Sequence, residues 1–291
     1  MKSEQVVVAT QSSSQSKNLS SSQGVIKQLA SEQGIDALIS KGEAKALEER
    51  VTQRQQLLLQ QQQRNLEKII QIAFQSCKDE VSQRPDPDWY ARFLSFATHI
   101  HGLPMQQLWA QVLKTEIIQP GTISYKALSV LNNMSKHEAQ ILQQAASLSC
   151  AFGSENTLKI VTGLRSPQGK MLGLFRRPAS ATTLQIGQYQ LPYSSLLVLI
   201  DLGLVLSSEL VSGAFSTETN TPLHYQDQTW QLRPSEPGIT LVYYRFSPTG
   251  QELCQLLGKR KHNQYQQALL GILNQAFAVE SESSGSEFDA E

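Results

Sequence analysis

The stretch Gly163-Leu164-Arg165-Ser166-Pro167-Gln168-Gly169-Lys170-Met171 is the nearest approach in this 291-residue chain to a phosphate-cradling loop. Such a loop needs four residues between its glycines and a Ser or Thr after the lysine to hold magnesium. Here five residues intervene and Met171 follows Lys170, so the stretch reads as a surface turn. His99 and His101 flank Ile100, but residues two apart on a helix point about 200° apart, whereas helical metal ligands sit three or four apart. His137, His224 and His262 have no neighbouring Cys or second His. Asp86 and Asp88 have the makings of an acid–base pair, yet Pro85 and Pro87 flank them at a helix start, where carboxylates cap free amides. Neither a Gly-x-Ser-x-Gly elbow nor a Gly-x-Gly-x-x-Gly loop occurs. The reading is therefore of no enzyme, with no catalytic residue, cofactor or metal ligand.

Stepping outward to the elements, Asp86-Pro87-Asp88 opens a helix with Trp89, Phe93, Phe96, Ala97 and Ile100 on one face, ending at Gly102. Pro104 opens the next, with Leu108, Trp109, Val112 and Leu113 as its stripe until Pro120-Gly121. Ser124 caps a short helix through Ala127, Leu128 and Leu131, and Ser135 with Glu138 has capping-box spacing ahead of Ile141, Leu142, Ala145 and Leu148. The aromatics at helical spacing could form a ligand cage, but core packing is the simpler reading, with Trp109 a buried anchor.

Before this helical domain, residues 42–80 hold no proline and no interior glycine, and Leu47, Val51, Leu58, Leu66, Ile70, Ala73 and Cys77 recur at helical steps. Glutamines at 53–63 interrupt a strict heptad, so an intermolecular pairing helix and one arm of a hairpin both remain open. Residues 1–24 are rich in Ser and Gln, and 281–291 are polar and acidic; both are expected to be disordered. Beyond Gly153 the texture turns to strands, at Thr182–Tyr189 and Gly238–Phe246, around a helix from Ser194 to Leu202 ended by Gly203. That reads as a winged-helix texture, completed by the strand, turn and helix from Tyr243 to Leu257.

The expected fold is mainly α with a C-terminal α+β part. It comprises a disordered leader (1–24), a long amphipathic helix region (25–84), a compact helical domain (85–152), an α+β winged-helix-like domain (153–279) and an acidic disordered tail (280–291). Residues Leu108-Trp109-Ala110 with Leu113, Pro120-Gly121, Ser124, Leu128, Leu131, Ser135 and Glu138-Ala139 resemble a bacterial domain of unknown function. Met134 stands where that pattern expects Leu. The chain as a whole is similar to a conserved hypothetical gammaproteobacterial family carrying this domain, and more distantly to the alpha-type abortive-infection proteins of phage defence. The resemblance implies architecture and no catalytic residues.

Charge narrows the function classes. Lys plus Arg and Asp plus Glu are 25 each, so no global field steers the chain to nucleic acid or an acidic membrane face. The presumed recognition helix Ser194–Leu202 carries Asp201 and no Lys or Arg, which argues against DNA despite the wing. Leu196–Leu206, the most apolar stretch, is broken by Asp201 and Gly203 and falls short of the roughly 20 residues that span a bilayer. The apolar run Val6–Ala9 is too short for an export signal, and Cys77, Cys150 and Cys254, odd in number and scattered, fit a reducing cytoplasm. What remains is a protein-interaction or regulatory module, with a phage-defence effector or sensor and a DNA-binding winged-helix regulator as alternatives. The candidate partner-binding residues are Leu47, Val51 and Leu58 on the long helix and the basic run Lys259, Arg260 and Lys261. Residues 44–77 are expected to join two copies of the chain.

Overall fold

The computed structural model describes residues 21–40, 45–78, 80–153, 157–167 and 180–281. The leader through residue 20, the tail from 282, the glycine–lysine turn at 168–171 and Arg176-Arg177 lie outside the described residues. The chain divides into two compact units, residues 1–64 and 65–291.

Helix α1, Ser22–Glu32, begins where the Ser21 hydroxyl accepts from Gly24 N at 3.2 Å, so the expected disorder does not reach residue 24. Helix α2, Leu47–Ser76, runs 30 residues across the division between the units, about 45 Å at 1.5 Å per residue. It is shorter than residues 42–80 promised. Its buried residues are Asn65, Ile69 and Ala73; of the apolar series read in the sequence, Ala73 is buried and Leu66 packs partly buried on the core, whereas Ile70 is exposed and its neighbour Ile69 takes the core position. Asn65 is tolerated there because its Nδ2 donates to Thr98 O at 2.7 Å.

Four helices follow: α3 (Pro87–Ala97), α4 (Leu103–Ile118), α5 (Tyr125–Asn133) and α6 (Lys136–Ser147). Their starts obey the sequence. Asp86 Oδ1 accepts from Asp88 N and Trp89 N, Ser124 Oγ accepts from Ala127 N, and Ser135 and Glu138 form the reciprocal capping box. The Trp109 side chain is fully buried, with Phe93 and Phe96 at ring-centroid distances of 5.4 and 6.3 Å. Glu116, also buried, turns its carboxylate onto the Pro120-Gly121 corner, where Oε1 accepts from Gly121 N at 2.7 Å and Oε2 from Ile123 N at 3.0 Å.

The remaining elements are β1 (Cys150–Phe152), β2 (Lys159–Ser166), β3 (Ser180–Thr183), a 3₁₀ turn (Ile186–Tyr189), α7 (Tyr193–Asp201), β4 (Leu210–Val211), β5 (Thr221–Tyr225), β6 (Gln228–Pro234), β7 (Thr240–Arg245), α8 (Pro248–Leu256), α9 (Asn263–Leu273) and β8 (Phe277–Ser281). The described strands form one eight-stranded sheet in the order β4-β7-β2-β1-β5-β6-β8, with β3 also paired to β2, and every pairing is antiparallel. This overturns both the mainly α fold and the winged helix. Of the described residues about 51% are helical and 17% strand, a full α+β fold whose sheet gathers segments from residue 150 to residue 281. The physical reason is burial on both faces: β1 is buried at every position and β2 at its first six, so neither shows the alternation that marks a half-exposed strand. The run Thr182–Tyr189, read as one strand, is the end of β3 followed by the 3₁₀ turn.

Helices and sheet in residues 65–291 share a single hydrophobic core, from Ile69 through Trp109 and Leu142 to Tyr225, Leu241 and Leu269. Polar ties stitch the layers together: Tyr225 donates to Ser147 O at 2.8 Å and Tyr265 to Val161 O at 3.0 Å. Ser124 N donates to the Glu252 carboxylate of α8 at 2.8 Å. One close approach requires glycine, since a β-carbon at Gly250 would lie 2.0 Å from Leu204 O.

Candidate functional site

The structure places the apolar candidates Leu47, Val51 and Leu58 on solvent, at 65%, 46% and 45% exposure. At about 100° per residue they fall within roughly 40° of one another, so they form one stripe of α2. In the same unit α1 contributes exposed Val25, Ile26 and Leu29, and the segment after it exposed Ile35, Leu38 and Ile39. Leu57 turns the other way, toward Gly34, where its Cδ1 lies 3.5 Å from the position a β-carbon would take. No described residue between 21 and 64 is buried. Helices of this length gain most of their stability from packing an apolar face, and here that face is unpacked.

The basic candidates fare differently. Lys259, Arg260 and Lys261 lie in the loop between α8 and α9, and that loop grips the turn joining β5 to β6. Lys261 Nζ sits 2.9 Å from Asp227 Oδ1, Arg260 N donates to Gln226 Oε1 at 3.0 Å, and His262 N donates to Tyr225 Oη at 3.0 Å. The hydrogen bond from Lys261 holds the Asp227 carboxyl below its ordinary pKa. The run therefore serves chiefly to fasten the hairpin.

A feature unread in the sequence lies in residues 65–291: an apolar cleft of about 580 Å3 between the end of α2, the start of α3 and α4, with Phe74, Cys77, Tyr90 and Ile117 in its walls. Phe74 is 81% exposed. The available signal was an aromatic residue between the core positions Ile69 and Ala73 and the helix end at Ser76.

The residues weighed for chemistry remain scattered. His99 and His101 both lie exposed in the link after α3, with buried Ile100 between them. Asp86 spends its Oδ1 on the α3 cap and on the Tyr125 hydroxyl at 3.2 Å. Burial pushes the Cys150 thiol up to about 12 and raises Cys254 further, so both are held as thiols. Among the described residues, no three His, Cys, Asp or Glu side chains gather to hold a metal ion, and no helix is long and apolar enough to cross a membrane. Helix α7, which covers most of Ser194–Leu202, buries Leu196 and Leu199 and carries no Lys or Arg.

Among curated proteins no match is found, and none among solved structures. A family model does match, over residues 49–270, under the description "Protein of unknown function (DUF2806)". That agrees with the resemblance carried by Leu108-Trp109-Ala110, Pro120-Gly121 and the Ser135–Glu138 box, and extends it well past both ends of that stretch. Because the match spans more than half of the chain, the protein belongs to this family of unknown function.

Proposed function

We propose that the protein is a non-enzymatic interaction module that works as a dimer joined through the apolar stripe of α1 and α2. One observation carries this reading: Leu47, Val51, Leu58, Val25 and Leu29 are exposed in a unit where no described residue is buried. Apolar surface of this kind on a soluble chain marks a contact site. A second copy is the simplest occupant, since a two-fold interface sets the same patch against itself and uncharged aliphatic stripes are self-complementary. The glutamines between the leucines do not oppose such pairing, because they add no like charge.

Multi-angle light scattering on the purified full chain at tens of micromolar tests it. The native protein should run as a dimer, and the Leu47→Ser, Val51→Ser, Leu58→Ser triple variant as a monomer with unchanged far-ultraviolet circular dichroism from residues 65–291. A monomeric native protein overturns the reading. A dimer that survives the triple variant moves the interface elsewhere, with the Phe74 cleft the next place to mutate.

A further inference from the structure

The link from α2 to α3 is fastened where it passes the Phe74 cleft. Gln83 N donates to Ile117 O at 2.9 Å, and Lys114 of α4 reaches back to Ser76 O at 2.5 Å and to the Glu80 carboxylate at 3.6 Å. With the link held this way, Arg84 stands in the cleft wall beside Phe74 and Cys77 of α2, Tyr90 of α3 and Ile117 of α4. The wall is apolar apart from three tips: the Arg84 guanidinium, the Tyr90 hydroxyl and the Cys77 thiol. Among the described residues neither the guanidinium nor the hydroxyl has a hydrogen-bond or ion-pair partner. Two acids close to Arg84 in sequence are engaged elsewhere. Glu80 accepts from Lys78 N at 3.0 Å and faces Lys114, while Asp86 Oδ1 caps α3 and accepts from the Tyr125 hydroxyl. The described lining residues include no Asp or Glu. Tyr90 is steadied by stacking on Phe93, with ring centroids 6.3 Å apart.

We propose that this cleft binds a small carboxylic acid with an apolar body, taken up from solution. Its volume of about 580 Å3 falls in the range of small-ligand sites, which are mostly apolar with a few polar groups that fix orientation. One unpaired cation matches one negative charge, and the flat fork of Arg84 suits the two oxygens of a carboxylate. A phosphate monoester, with close to two charges, would be left half-compensated there. The Tyr90 hydroxyl supplies a further donor. The apolar walls take the ligand's hydrocarbon part out of water and strengthen the charge pair at its head, and the guest covers Phe74, which otherwise keeps a large apolar ring on solvent. The assignment is independent of the dimer reading, since all of its residues lie in 65–291.

Calorimetric titration of the full chain with sodium octanoate below its micelle-forming concentration is the test, with octylammonium as the probe of opposite charge and 1-octanol as the neutral one. Saturable octanoate binding at about 1 mM or tighter, with octylammonium at least tenfold weaker, is the expected result. Arg84 is exposed, so Arg84→Gln should keep the native melting curve while weakening octanoate at least tenfold and leaving 1-octanol unchanged. Phe74→Ser should weaken both. Saturating octanoate should also slow maleimide labelling of Cys77, the thiol in the cleft wall. The Leu47→Ser, Val51→Ser, Leu58→Ser variant should bind octanoate as the native chain does, which separates this site from the dimer contact. Native protein that takes up no octanoate, octylammonium that binds equally well, Arg84→Gln that binds as the native chain does, or Cys77 labelling unchanged at saturation each overturns the proposal. So does Phe74→Ser turning a native dimer into a monomer, since the cleft would then be filled by a second copy.

Discussion

Replacing Trp109 by Ala tests whether the helical layer is anchored as described. The indole is fully buried against Phe93 and Phe96, and truncating a buried Trp to Ala typically costs about 3–5 kcal/mol in lost burial and residual cavity. For a unit the size of residues 65–291 each kcal/mol lowers Tm by about 2–4 °C, so Trp109→Ala should melt roughly 6–20 °C below the native chain. Trp109→Phe provides a sharper arm. The indole Nε1 is buried without a hydrogen-bond partner among the described residues, and a buried unpaired donor costs about 1–3 kcal/mol. Phe keeps much of the ring contact and removes that donor, so its loss should be less than half that of Ala. Differential scanning calorimetry at one protein concentration measures both. A Tm within a degree of native for Trp109→Ala would refute the packing argument. Equal losses for Phe and Ala would show that the indole N–H is satisfied after all.

Other expectations follow from single contacts. Glu116→Gln keeps the volume but leaves one of the amides Gly121 N and Ile123 N facing an amino group, so urea unfolding should show a loss of about 1–3 kcal/mol. Gly250→Ala should be among the most damaging small substitutions, with little folded protein recovered on expression, because its β-carbon would sit within bonding range of Leu204 O. Glu138 has its pKa lowered, first by the Ser135 backbone amide and then by the Ser135 hydroxyl. Its folded value therefore lies below its unfolded value, so its contribution is full above the unfolded pKa and lost as pH falls through the folded one. Glu138→Gln should cost well under about 1 kcal/mol at pH 7, because the site is exposed and screened, and less as the pH falls and the native carboxylate takes up its proton. At pH 8 a maleimide should label Cys77, which is partly exposed, and leave Cys150 and Cys254 untouched until the chain unfolds.

The helical caps were legible because they are local. Asp86, Ser124 and the Ser135–Glu138 pair each declare a helix start within four residues, and Gly203, with φ of +68°, closes α7 as read. The sheet was not legible in the same way. Its strands β1 and β4 are three and two residues long, and β2 reads Lys-Ile-Val-Thr-Gly-Leu, a buried run without alternation. Pairings such as Cys150 with Tyr225 and Lys159 with Arg245 are set by tertiary partners far along the chain. The exposed stripe Leu47, Val51 and Leu58 was visible as periodicity, and the same periodicity placed Ala73 in the core but chose Ile70 where Ile69 is buried. Lys259–Lys261 looked like a patch because its partners Gln226 and Asp227 are remote in sequence.

Strand β2 touches three neighbours at once: β7 along its length, β1 at the Lys159 end and β3 at the Ser166 end. During synthesis this sets an order of events. When residues 150–166 leave the ribosome, β1 lacks its partner Leu223–Tyr225 and β2 lacks Thr240–Arg245, so two strands that are mostly buried in the finished fold must wait with open edges. The helices before them wait too, because the Ser124 amide takes its partner from Glu252. Folding of this unit is thereby deferred until α8 is made, with the slow closure that distant pairing imposes. A nascent chain arrested before residue 240 would present a sticky, protease-sensitive intermediate instead of a finished N-terminal half, and its survival in the cell would depend on whatever shields those edges while the last strands arrive.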